Sequence, residues 1–302
     1  MKIALSLLSL LPLAFAASLA NAAQYYPADA LSKVIQGPQR SVANKLRDKY
    51  RHPHATLEFF GLKPDMTVVE LEPGGGWYTE ILAPYLKDHG HLIEAAPPTD
   101  SKSQFMRKMA QNYRKKLEDN RSAYGDVKVV PFAAPEQMDL GEPNSADMVL
   151  TFRNAHDWKA EGTLKAIFQA AYKVLKPGGV FGVVAHRANP DTDPAVTAKK
   201  LHRLPEAYVI NLAQEVGFKL DAVSRINANP ADPRVMNIHM LPPSRAAARG
   251  FAPAVDHVID SSKAKHGKEM KAFIDGIQPV FDHIGESDRM TLRFVKPKNA
   301  GG

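Results

Sequence analysis

Cysteine is absent from all 302 residues. That excludes a disulfide framework, thiolate zinc sites, iron–sulfur clusters and cysteine nucleophiles. Charge of one sign is not concentrated anywhere. Lys+Arg 39 against Asp+Glu 32 leaves +7, too diffuse for a nucleic-acid footprint and only mildly favourable to anionic ligands. Internal repeats and low-complexity tracts are missing, as are a P-loop, a nucleophile elbow and a serine with a recognisable triad. With 44% hydrophobic and 24% charged residues, wholesale disorder, collagen and coiled coil are excluded. The length suits about two domains or one large α/β unit.

Long apolar runs are lacking except at the start. Met1-Lys2 precedes an apolar stretch from Ile3 to Ala20, which ends in Ala20-Asn21-Ala22. A positive start, a short apolar core and a small-x-small site are the parts of a secretory signal peptide. The reading is a cleaved signal at 1–22 and a protein that is exported, to the periplasm, with no transmembrane domain afterwards. An uncleaved amino-terminal anchor is the alternative.

The rest alternates between two periodicities. Residues 23–62 read as a helical segment interrupted at Pro53, with Gly61 as its cap. From 63 to 302 short β-branched runs alternate with amphipathic ones. Strands are expected at Thr67–Leu71, His91–Ala96, Val127–Phe132, Asp147–Phe152, Val180–Ala185, Phe218–Ile226 and Met290–Val295. Helices are expected at Trp77–Leu86, kinked by Pro84, and at Ser101–Arg121, whose basic residues read as a solvated face. Others follow near Leu164–Leu175 and Pro205–Val216. Such alternation demands crossovers, hence a mostly parallel sheet covered on both faces. About 227–288, with helical patterns near Val255 and Phe273, reads as an insertion before the last strand.

Glu70-Leu71-Glu72-Pro73-Gly74-Gly75-Gly76 leaves the first strand and runs into a helix. Glycines permit positive φ and close backbone approach, and a helix start offers unpaired N–H groups. A tight strand-to-helix turn accounts for three glycines as well as a ligand does. With Leu175-Lys176-Pro177-Gly178-Gly179 before the fifth strand, this order resembles class I S-adenosylmethionine-dependent methyltransferases. Arg51-His52-Pro53, Phe59 to Pro64, Asn154 to Trp158 and His186-Arg187 are similar to a bacterial family of exported, predicted methyltransferases.

The resemblance implies a Rossmann-like, doubly wound, mostly parallel seven-stranded sheet with helices on both faces. It also implies S-adenosyl-L-methionine at Glu70, Gly74, Gly75 and Gly76, with Trp77 and Tyr78 opening the helix beneath. Glu70 otherwise ties the turn together, and Trp77 and Tyr78 otherwise serve as core aromatics. Two departures stand out: Glu72 where the family has glycine, and Ala96 where it has the acid that holds the ribose. Glu94, on the same strand face as Ala96, is a substitute or else a plain solvated carboxylate.

Phe152-Arg153-Asn154-Ala155-His156-Asp157-Trp158 leaves the fourth strand where the methyl group would be delivered. His156 is the natural base, with Asp157 or Asn154 orienting it or the acceptor. Arg153 or Arg187 would bind an acidic small-molecule acceptor. Alternatively, the cluster caps a helix and braces its loop. His52, His54, His156 and His186 lack metal-ligand spacing, so no metal is expected. The rival to methyl transfer is an exported ligand-binding protein of the same architecture that has lost the donor.

Overall fold

A computed structural model describes residues 29–241 and 280–298. The signal segment at 1–22 and the helical patterns near Val255 and Phe273 lie outside the described residues. Four short helices come first: α1 (Ala30–Gln36), α2 (Val42–Lys45), α3 (Asp48–Arg51) and α4 (Pro53–Phe60). Pro53 occupies the first turn of α4, where its missing N–H costs nothing. Then come β1 (Thr67–Leu71), α5 (Thr79–Leu86), β2 (His91–Ala96), α6 (Gln104–Asp119), α7 (Arg121–Tyr124) and β3 (Lys128–Pro131). The second half holds β4 (Ala146–Phe152), α8 (Ala155–Glu161), α9 (Leu164–Val174), β5 (Leu175–His186), α10 (Pro194–Leu201), α11 (Glu206–Val216), β6 (Lys219–Ser224) and β7 (Arg289–Val295).

The seven strands form one sheet in the order β3-β2-β1-β4-β5-β7-β6. β7 runs antiparallel to both β5 and β6, and the other pairings are parallel. The order reverses between β1 and β4, and the crevice at the carboxyl ends of those strands is the ligand position of such sheets. β1 and β4 read as near-continuous apolar runs because both faces are covered. One face packs on α9 and α11 through Ile167, Phe168, Phe181, Leu212 and Phe294. The other packs on α1, α4 and α5 through Ile35, Leu57, Phe60, Ile81 and Leu82. Truncating Phe168, fully buried in the first layer, to alanine costs about 3–5 kcal/mol.

Pro84 stays inside α5, which continues to Leu86. Proline cannot donate to the carbonyl four residues earlier. That carbonyl, on Glu80, instead accepts the Gln39 side-chain amide at 3.2 Å. The amino-terminal segment thus repairs the helix that opens the glycine turn. Among the described residues no helix is long and apolar enough to cross a membrane.

Candidate active site

The turn after β1 takes its shape from three left-handed residues, Glu72 (φ 49°), Gly74 (φ 58°) and Gly76 (φ 77°). Among the described residues, the N–H groups of Gly74 and Gly75 bond to nothing. A Cβ placed on either glycine would meet no atom within 4 Å, so the space on the Cβ side of both is open. Gly76 differs: a Cβ there would lie 3.1 Å from the Tyr113 ring. Lys116, on the face of α6 expected to be solvated, donates to the Gly75 carbonyl (2.8 Å) and to Glu80 (2.8 Å) and so holds the turn from outside.

Glu72 adopts a left-handed backbone, which costs about 1–2 kcal/mol outside glycine. Its carboxylate accepts the Trp158 indole N–H at 2.9 Å. The side chain therefore turns toward α8 and does not fill the space before Gly74 and Gly75. Burial, chiefly, and the nearby acids Glu161 and Asp157 raise its pKa to about 7. Asn154 donates to the carbonyls of Leu71 (2.9 Å) and Glu72 (3.2 Å) and to Thr151 Oγ1. Asn154 is thus a brace between the ends of β1 and β4, which is the structural alternative weighed above.

Glu70 and Glu94 are register partners on β1 and β2. Both are buried, and the Thr79 hydroxyl, itself 2.9 Å from the Tyr113 hydroxyl, donates to Glu70 at 3.2 Å. Burial raises Glu70 to about 7. Burial, then the charge of Glu70, pushes Glu94 well above the carboxylate range. Glu70 ties the turn to α5. Glu94 is fully buried, two residues before the end of β2, and neither of its carboxyl oxygens has a hydrogen-bond partner.

Trp77 and Tyr78 are buried in the α5 core. Trp77 lies under the guanidinium groups of Arg40 (4.8 Å) and Arg51 (4.6 Å) and donates to the Asn44 carbonyl. Tyr78 stacks on Phe152 at 3.5 Å. Both act as core aromatics that fix the turn's exit.

His156, near the start of α8, is also buried. Burial, chiefly, and the positive surroundings of His202 and Arg153 push its pKa down to about 2, too low for an effective base near neutrality. Asp157 is exposed and faces His156 and His202. Arg187 is taken up by Glu206 (3.0 Å), Asp288 and the Arg289 carbonyl.

Arg153 enters a cluster invisible to spacing. Arg47, Arg51 and Arg289 bond Glu286 at 2.8, 3.3 and 2.7 Å, while Arg153 donates to His186 Nε2 at 3.1 Å. Among the described residues, Glu286 is the one carboxylate that these arginines bond. Their fields hold its carboxyl well below the usual range despite burial. Burial lowers Arg153 to about 10, and Arg51 Nη2 and Arg289 Nε are buried without a hydrogen-bond partner. Four guanidinium groups against one carboxylate, with orphaned donors, fit an anion. Two cavities of about 420 Å³ lie elsewhere, one beside His91 and Gly125, the other beside Gly178 and Lys219.

No protein-family model and no curated protein sequence matches the chain. Solved structures do. The cyclase SpnF is similar at TM-score 0.54 and 15% identity, over 89% of this chain and 93% of that one. Phosphoethanolamine N-methyltransferase 2 of Haemonchus contortus, solved with phosphomonomethylethanolamine and S-adenosylhomocysteine, is similar at TM-score 0.51 and 16% identity. That match covers 82% of this chain and 53% of the nematode enzyme, so the chain spans about half its length. The cyclopropane synthase MmaA2 of Mycobacterium tuberculosis gives 0.50 and 15%, over 89% and 94%. At such identities the likeness establishes architecture: the chain has the Rossmann-like fold of class I S-adenosylmethionine-dependent methyltransferases.

Proposed function

We propose that this chain is an exported, periplasmic protein that transfers a methyl group from S-adenosylmethionine to a small acceptor carrying an anionic group. The open peptide cradle at Gly74 and Gly75, at the sheet's switch point, carries the reading. The donor, when bound, supplies an electrophilic methyl group on a sulfonium. Gly74 and Gly75 offer it N–H groups, Asn154 and Lys116 keep the turn in place, and Glu70 holds the turn to Thr79. Arg51, Arg153 and Arg289 bind the acceptor's anionic group, the phosphate-bearing ligand of the nematode neighbour being of that chemistry. Glu72, whose pKa of about 7 suits proton exchange near neutrality, takes the acceptor's proton in place of His156. Alignment of acceptor and methyl supplies the rest.

Titration of the purified chain with S-adenosylmethionine tests the reading. Saturable heat and a raised melting temperature are expected. Their absence up to millimolar donor overturns it and favours the second reading, a ligand-binding protein without donor. That rival draws on the missing acid at Ala96 and on a methyl donor made in the cytoplasm. If the donor binds, Glu72→Gln should lower turnover at least ~100-fold with donor affinity unchanged.

A further inference from the structure

Four histidines from separate parts of the chain line up ring by ring beyond β4. His186 ends β5, His156 opens α8, His202 caps α10, and His239 sits in a short turn at Ile238–Met240. Successive ring centroids are 5.3, 5.3 and 4.6 Å apart, each pair edge to face. Hydrogen bonding sorts them. His186 is satisfied at both nitrogens, by Ser287 at 2.5 Å and by Arg153 at 3.1 Å. His156 is not: Nδ1 is buried without a partner, and Nε2 lies 3.3 Å from Asp157 Oδ2. His202 Nδ1 approaches the other oxygen of the same carboxylate at 3.4 Å. Both distances exceed the 2.7–2.9 Å of a charge-assisted hydrogen bond.

Those lengths have another meaning. Two ligand atoms bound to one tetrahedral zinc at about 2.0–2.1 Å stand roughly 3.3–3.4 Å apart. Asp157 faces the two imidazole nitrogens with a different oxygen each, at 3.3 and 3.4 Å, each the length of one such edge. The three ligand atoms all lie within 4.8 Å of one another, so the remaining separation is at most about 1.5 Å longer than a tetrahedral edge. His202 terminates a helix, and its side chain is 26% exposed. Asp157, half exposed, leaves an entry path for the ion.

We propose that His156, Asp157 and His202 form a binding site for one divalent cation of the zinc type. Imidazole and carboxylate ligands without thiolate suit such an ion. Three protein ligands leave a fourth position for water or a substrate atom, the open arrangement of reactive rather than purely structural sites. His239, exposed beside His202, stands next to that opening. The site does not depend on the methyl-donor reading, and it binds or fails without donor present.

The test is titration of the chelator-stripped full chain with Zn²⁺, followed by metal analysis after desalting. One equivalent retained, with a Kd at or below ~1 μM, is expected. Substitution with Co²⁺ should give the intense visible bands of four-coordination. Asp157→Asn and His202→Asn should each weaken binding at least ~100-fold. Asparagine tolerates the left-handed backbone at 202 (φ 55°), so the fold is spared, as circular dichroism will verify. His91→Ala, at the opposite end of the sheet, should change nothing. No retained zinc, or equal affinity in His202→Asn, overturns the proposal.

Discussion

At the residue scale the balance of forces is clearest at Glu70 and Glu94. A buried carboxyl whose pKa is raised binds its proton more tightly folded than unfolded. Its stabilising state is therefore complete below the unfolded pKa near 4.5 and is lost as pH rises through about 7. Glu94→Gln keeps the shape, removes one ionisation and donates an amide N–H toward Glu70. We expect the melting temperature at pH 8 to rise by about 3–8 °C, with little change at pH 5. Equal shifts at both pH values would show that ionisation of the pair is not the cause. Single residues were legible only where neighbours in sequence are neighbours in space. Glu70, the glycines and the Asn154–Asp157 run stand out by eye. His202, His239, Glu286 and Arg289 do not, because helices and strands from distant segments bring them in. Adjacency likewise could not show that burial would strip His156 of its basicity.

At the element scale the turn between β1 and α5 separates binding from folding. Gly75 has no positive φ, and a side chain there would enter open space. Gly75→Asp should leave the melting temperature within about 2 °C while abolishing donor heat, since an anion would occupy the cradle. Gly76→Ala has the opposite character, because φ is +77° and Tyr113 and Lys116 crowd the position. A Gly75→Asp chain that still binds donor would move the site elsewhere. Elements announced themselves where composition and period agree: β1 and β2 run over the residues expected. β5 starts earlier, at Leu175, because Lys176-Pro177-Gly178-Gly179 continues the strand. In sequence, that cluster reads as a break. The short helices α8 and α10 carry too few turns to declare a period.

At the scale of the whole molecule, the two ends of the described chain meet on one carboxylate. Glu286 precedes β7, yet it is held by Arg47 and Arg51 of the opening helices. The same stretch is bonded to the chain after β6. Asn229 donates to the carbonyls of Ile284 and Glu286 at 2.7 Å, and Asp232 accepts the Asp288 N–H at 2.7 Å. The sequence shows only an insertion here, since nothing local marks which acids will be buried. Glu286 contributes with the opposite sign to Glu94. Its depressed pKa gives stability that is present above about 4.5 and disappears as pH falls below it. The two groups therefore act on opposite limbs of the stability profile. Glu286→Gln leaves buried guanidinium groups without their counter-charge, a change worth about 3–5 kcal/mol. At pH 7 we therefore expect a loss in melting temperature on the order of 10 °C. The acid limb of the stability profile should flatten, and amide exchange should accelerate first in α3 and β7. A variant that kept the wild-type acid limb would assign acid sensitivity to other carboxylates, and the link between the two ends would then be packing alone.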